Sequence, residues 1–97
     1  MRIIAKRTLR EFWIKHVDCE QQLKAWYQEA EKGHWKSFNQ LKEEHPSASI
    51  IGDNRVVFNI KSNSYRLIVK FNLDFQIGWI RFIGTHAENH KIDANSI

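Results

Sequence analysis

Ninety-seven residues, 42% hydrophobic and 27% charged, suit one globular domain spanning 1–97 and leave no room for a second core. A net charge of +4 and a pI near 9.4 favour an anionic partner, and the single cysteine, Cys19, excludes an internal disulfide. No apolar run approaches the roughly 20 residues of a membrane helix, and the stretch after Met1 is too short for a secretory signal, so no membrane role and a cytoplasmic address are expected.

The chain opens with a short β-prone run, Arg2-Ile3-Ile4-Ala5. Thr8-Leu9-Arg10-Glu11 then fits a capping box, and Leu9, Phe12, Trp13, His16 and Val17 recur at the spacing of one helical stripe. Asp18 is placed to cap a second helix, in which Leu23, Trp26, Tyr27 and Ala30 repeat that spacing. Gly33 is expected to end it in a left-handed turn. A third, shorter helix runs from Ser37, boxed by Gln40, to His45, where Pro46 stops it. Trp13, Trp26 and Trp35 lie on or beside these stripes and are read as core.

Beyond Pro46 the pattern changes to strands: 49–51, 55–61, 65–72 and 77–83. Asp53-Asn54, Ser62-Asn63 and Asp74-Phe75 mark the turns between the longer ones. A two-residue turn at Ser62-Asn63 sets Asn59 opposite Arg66, and one at Asp74-Phe75 sets Lys70 opposite Trp79 and Ile68 opposite Arg81. Ala87 is the expected start of a short helical tail. The architecture is therefore α+β, with two to three N-terminal helices packed on one face of a small, mainly antiparallel twisted sheet.

Strand side chains alternate between faces, so Val56, Phe58, Ile60, Leu67, Val69, Phe71, Ile80 and Phe82 are assigned to the core. Arg55, Asn59, Lys61, Arg66, Lys70, Trp79 and Arg81 fall on the opposite face. Residues 55–86 thus carry five cations, Arg55, Lys61, Arg66, Lys70 and Arg81, against Asp74 alone. That pattern fits a polyanion, and arginine in particular grips phosphate through two parallel hydrogen bonds. Trp79 and Tyr65 are candidates for stacking on nucleotide bases. Gly84-Thr85-His86 returns beside the first hairpin turn, which brings a proton-transfer group to the edge of the cations.

His86 and His90 stand four apart with Glu88 between them, but no third ligand or zinc-binding motif is evident, so no metal is assigned. No glycine-rich phosphate loop and no nucleophile–base motif occurs either, and no cofactor is assigned. RNA supplies its own nucleophile, the 2′-hydroxyl. Cations for the phosphate and groups that move protons are then sufficient for cleavage.

The chain resembles the HigB toxins of bacterial type II toxin–antitoxin systems, within the wider RelE-like group. The likeness rests on Met1-Arg2-Ile3-Ile4-Ala5-Lys6, Leu23-Lys24-Ala25-Trp26-Tyr27, Trp35-Lys36, Pro46-Ser47-Ala48, Asn54-Arg55-Val56-Val57-Phe58-Asn59-Ile60, Tyr65-Arg66-Leu67 and Arg81-Phe82-Ile83-Gly84-Thr85-His86-Ala87-Glu88. It implies a metal-independent mRNA interferase that cuts translated messages on the ribosome and leaves a cyclic phosphate. It also implies a helix-turn-helix antitoxin of the HigA type, through which the complex would bind operator DNA. Carried over by position, the strand arginine is Arg66, the penultimate-strand cation is Arg81 and the Thr-His pair is Thr85-His86. The expected catalytic residues are then His86, Arg66, Arg81 and His90, while the face pattern read above puts Lys61, Lys70, Asn59, Arg55, Tyr65 and Trp79 along the RNA. The family's pattern continues into Tyr-Asp where this chain has Asn89-His90. Either His90 substitutes for the tyrosine, or turnover is lowered, or the tyrosine is dispensable. The competing readings are a non-catalytic RNA- or ribosome-binding inhibitor of translation using the same face, and a poison of another target such as gyrase.

Overall fold

The computed structural model describes residues 1–62 and 64–97. Among these the elements run β1 (Arg2–Ile4), α1 (Lys6–Lys15), a 3-10 turn (Val17–Cys19), α2 (Glu20–Lys32), α3 (Phe38–Glu44), β2 (Ser49–Ile51), β3 (Arg55–Ile60), β4 (Tyr65–Asn72), β5 (Ile77–Thr85) and α4 (His86–Asn89). The strands form one five-stranded sheet in the order β1-β5-β4-β3-β2. All neighbours are antiparallel except β1, which runs parallel to β5. The first three helices pack on one face, and the architecture is the expected α+β.

Helical period three to four and strand period two meet in a single core. Leu9 and Trp13 of α1, Leu23, Trp26 and Ala30 of α2, and Leu41 of α3 face Val56, Phe58 and Ile60 of β3 and Leu67, Val69 and Phe71 of β4. Each fully buried large side chain contributes about 1.5–3 kcal/mol relative to exposure. Trp13, Trp26 and Trp35 are buried as expected.

Several local expectations are corrected. Helix α1 begins two residues before Thr8, with Ala5 at its N-cap and no side-chain cap, so Thr8 lies inside the first turn. The helix ends at Lys15, which removes Val17 from the stripe and leaves it 69% exposed. Asp18 does not cap α2; Cys19 occupies that position, and its side chain makes no capping hydrogen bond, its Sγ donating instead to the His16 carbonyl. Gly33 closes α2 in extended rather than left-handed backbone, at φ −70°. A Cβ there would stand 3.1 Å from the Trp35 ring, so close approach is its structural requirement. Ser37 caps α3, accepting from the Gln40 N–H at 3.2 Å, but the expected box is half made: Gln40 Oε1 accepts from the Lys36 N–H at 2.8 Å, not from Ser37.

The turns are those the asparagines and aspartates marked, with one shift. Asp53 and Asn54 both adopt positive φ, 58° and 62°. In the next hairpin Lys61 and Ser62 have positive φ, 51° and 57°, and Ser64 N–H donates to the Lys61 carbonyl at 3.1 Å. The expected turn centre Ser62-Asn63 falls partly on Asn63, which lies outside the described residues. Its predicted register is observed, Asn59 opposite Arg66 and Phe58 opposite Leu67.

Strand β5 departs from simple alternation. Lys70 pairs with Trp79 and Val69 with Ile80, but Ile68 pairs with Phe82, leaving Arg81 as the extra residue of a bulge. Beyond it the faces exchange. Ile83, opposite Leu67, joins Ile80 against the core, and Phe82 moves to the outer face. The expected pairing of Ile68 with Arg81 and the expected inward Phe82 are both corrected by this one inserted residue.

Candidate nucleic-acid interface

One end of the outer face is built where the β3–β4 hairpin meets the start of α4. Arg66, half-buried in mid-strand, lies between Asn59 on β3 and Gly84 on β5. Asn59 donates its amide to the Ser47 carbonyl at 3.0 Å. His86 N–H donates to the Ser64 carbonyl at 3.3 Å, which ties α4 to the hairpin. The ring of Phe82 lies over Gly84 so closely that a Cβ there would meet its Cζ at 2.6 Å. What glycine supplies at 84 is space for the Phe82 ring, since its φ is not positive.

Helix α4 is held by a reciprocal cap. Thr85 Oγ1 accepts from the Glu88 N–H at 3.2 Å, and Glu88 Oε1 accepts from the Thr85 N–H at 2.8 Å. Thr85 hydrogen bonding keeps the Glu88 carboxyl below its ordinary range, with smaller contributions from His16 and Lys91. His86 occupies the first helical position and His90 follows one turn later. His86 Nδ1 and His90 Nε2 stand 3.0 Å apart, and both side chains are exposed. A hydrogen bond between two imidazoles needs one protonated and one bare nitrogen, so one ring donates to the other. Asn89, between them, encloses its Oδ1 without a hydrogen-bond partner among the described residues.

Behind this end, on the helix side, lies a second polar cluster. Tyr65 is only 7% exposed, with its ring edge-on to Phe12 and His16 at 5.5 Å. Its hydroxyl reaches the core's rim and donates to Asp18 Oδ1 at 2.7 Å, while Lys61 Nζ meets Asp18 Oδ2 at 2.8 Å. These two bonds, Lys61's the stronger, hold the Asp18 carboxyl below its usual range. The same carboxylate pushes the Tyr65 hydroxyl up to about 12. Tyr65 thus faces the helices, not the outer surface. Lys61 follows it there because its positive φ ends the strand alternation.

The β3 side of the outer face is covered. Arg55, expected in the open, is 5% exposed: its Nε donates to the Ile97 carbonyl at 2.6 Å and its Nη1 meets Asp53 Oδ2 at 2.8 Å. Gly52 N–H donates to Asn95 Oδ1 at 3.2 Å, so the C-terminal segment is tied back along this side at two points. Ile68, on the outward side of β4, is fully buried.

The far end of the face stays open. Lys70, Trp79 and Arg81 border a cleft of about 410 Å³ with Asn54, Phe71 and Asn72. Lys70 lies 3.4 Å from Asp53, whereas Arg81 is exposed and has no ion-pair or hydrogen-bond partner among the described residues. The structure thus brings Arg66, Asn59, His86 and His90 to one end and Lys70, Trp79 and Arg81 to the other. It separates Arg55, Tyr65 and Lys61 from both. Sequence reasoning missed Glu88, Asp18 and Phe82. Glu88 was legible, because Thr85-His86-Ala87-Glu88 is a capping-box pattern; the other two depend on a long-range contact and on the bulge.

Among the described residues no group of three His, Cys, Asp or Glu side chains is placed to hold a metal ion, and no helix is long and apolar enough to cross a membrane. No curated protein matches the chain in sequence. Residues 19–92 match the HigB_toxin family, described as the RelE-like toxic component of a toxin–antitoxin system. The match spans α2, α3, all of β2 to β5 and the His86–His90 pair, and the chain therefore belongs to the HigB toxin family, with an antitoxin as its implied partner.

Proposed function

We propose that this toxin is an mRNA interferase, a metal-independent endoribonuclease acting in the cytoplasm on messages held by the translating ribosome. The observation that carries the reading is the 3.0 Å hydrogen bond between His86 and His90 at the rim of a face bearing Arg66. The imidazole that donates within the pair has its other nitrogen bare, and that nitrogen takes the proton of the 2′-hydroxyl as O2′ bonds to phosphorus. The P–O5′ bond breaks, and an imidazolium returns a proton to the departing 5′-oxygen. The products are a 2′,3′-cyclic phosphate and a 5′-hydroxyl. Arg66 balances the negative charge that builds on the phosphoryl oxygens. Arg81 and Lys70 hold the RNA further along the face, and Asn59 flanks Arg66.

The partner in this reading is a HigA-type helix-turn-helix antitoxin that carries the complex to operator DNA. A second reading, a non-catalytic blocker of translation, draws on Asn89, whose enclosed amide stands where the family pattern has a tyrosine. Mapping RNA ends on a translated message, with and without ribosomes, separates the two. Cuts that require ribosomes and vanish in His86→Ala support the nuclease; arrested translation with intact message supports the blocker.

A further inference from the structure

We infer that the cleft bordered by Trp79, Asn54 and Asn72 is a nucleobase-recognition subsite, which reads a nucleotide of the single strand away from the one cut at His86. The inference rests on the RNA-cleaving reading above for its biological use, but its geometry stands apart from the histidine pair. Along β4, Arg66 at the histidine end and Lys70 at the cleft are four residues apart, about 13 Å at strand rise.

The cleft's composition fits a base better than a bare phosphate. Its volume, about 410 Å³, falls within the range of small-ligand sites. Trp79, half-buried opposite Lys70, supplies an aromatic surface on a rigid strand. Asn54 sits in a positive-φ turn at 62°, where its backbone carbonyl accepts from Phe71 N–H at 2.8 Å and fixes the turn to the sheet. Its carboxamide offers a donor and an acceptor to a base edge. Asn72 uses its Oδ1 to accept from Phe75 N–H at 3.1 Å, which leaves the amide hydrogens to donate. Arg81, lifted out of the ladder by the bulge, stands exposed at the rim where the attached phosphate would lie. Bulges re-aim side chains in this way beside functional sites. Asp53, paired with Lys70 and Arg55, offsets part of the positive charge, so recognition falls more heavily on Trp79 and Arg81.

The test is fluorescence-anisotropy binding of labelled single-stranded octaribonucleotides, of A, U or C alone, to the full chain and to Trp79→Ala, Trp79→Phe and Asn54→Ala. Thermal melts confirm that each variant is folded. Trp79→Ala is expected to weaken binding about tenfold, with Trp79→Phe within threefold of the parent. Asn54→Ala is expected to narrow the difference among the three sequences. Affinity of the folded Trp79→Ala variant equal to the parent's for each of the three oligomers overturns the subsite. So does unchanged RNA affinity with loss of the antitoxin complex, which would make the cleft a protein-docking surface. The two readings fail separately. Ribosomal cuts with unaltered sequence preference in Trp79→Ala remove the subsite and keep the nuclease. Trp79-dependent oligomer binding by a protein that never cuts removes the nuclease and keeps the subsite.

Discussion

The two sides of the outer sheet face began with equal credentials. Arg55 on β3 and Arg81 on β5 both belong to cation-rich strands, and alternation assigns both to the same surface. Arg55 is 5% exposed, held by Asp53 and the Ile97 carbonyl, whereas Arg81 stands in solvent at a bulge. The difference comes from residues 95–97, bonded back to Gly52 and Arg55 over 40 positions away. Period two fixes which face a side chain takes, and chain from elsewhere decides whether that face meets solvent. A basic strand pattern counts candidate phosphate ligands without saying which can reach a phosphate.

The largest expected effect tests the open side. His86→Ala should lower ribosome-dependent cleavage by about 10²- to 10⁴-fold, the contribution usual for a positioned proton-transfer group. Its melting temperature should stay near the parent's, because the side chain is exposed. Full cleavage by His86→Ala would remove the histidine pair from the chemistry.

Gly84→Val comes next. The added Cβ would stand 2.6 Å from Phe82 Cζ, so ring or backbone must move, at a cost of about 1–3 kcal/mol in stability. Cleavage should fall with it, since Gly84 pairs with Arg66 and lies two residues from His86. A variant as stable and as active as the parent would mean that Phe82 leaves its place freely.

The arginines then sharpen the contrast directly. Arg55→Met should lower stability by about 1–3 kcal/mol, the usual worth of a charged group's hydrogen bonds, and leave RNA affinity unchanged. Arg81→Met should do the reverse: stability intact, binding weaker, and the salt dependence of log K reduced by about one unit of slope. Urea melts paired with RNA titrations at several salt concentrations separate the two. If both arginines behave alike in either assay, the covered and open sides are not distinct in solution.

How much of this was legible in the sequence follows the range of the interaction. Leu23, Trp26 and Ala30 repeat at helical spacing, and Phe58 and Leu67 alternate with polar neighbours, so the core and the hairpin register could be read locally. The return of Gly84-Thr85-His86 to the neighbourhood of Arg66 could be read from the second hairpin, though with Ile83 rather than Gly84 opposite Arg66. Arg81's bulge could not, because one unpaired residue inverts the parity of everything after it and leaves no compositional mark. Tyr65 shows a related limit. Its parity with Leu67 already placed it inward, yet an aromatic beside cations invited a stacking role that burial at 7% exposure removes. Asp18 looked like a helix cap and instead serves residues 43 and 47 positions later.

That Asp18–Tyr65 contact supplies the smallest effect, visible only as pH dependence. A tyrosine in the unfolded chain ionises near 10, but Tyr65 in the folded protein holds its proton to about 12, because its hydroxyl donates to the Asp18 carboxylate. Between those values unfolding releases a proton, so rising pH favours the unfolded state. The stability this group contributes is complete below about 10 and lost as pH climbs through about 12. Asp18 runs the opposite way: its depressed carboxyl contributes above the ordinary aspartate range, and that contribution is lost as pH falls through the lowered value. Tyr65→Phe deletes the hydroxyl while keeping the ring against Phe12 and His16. Its urea midpoint should therefore fall less steeply than the parent's from pH 10 to 12. At acidic pH the parent should retain the larger share of the Asp18 contribution, since Lys61 alone remains to hold that carboxylate in the variant. Parallel alkaline limbs for the two proteins would mean that the Tyr65 hydroxyl meets water rather than Asp18.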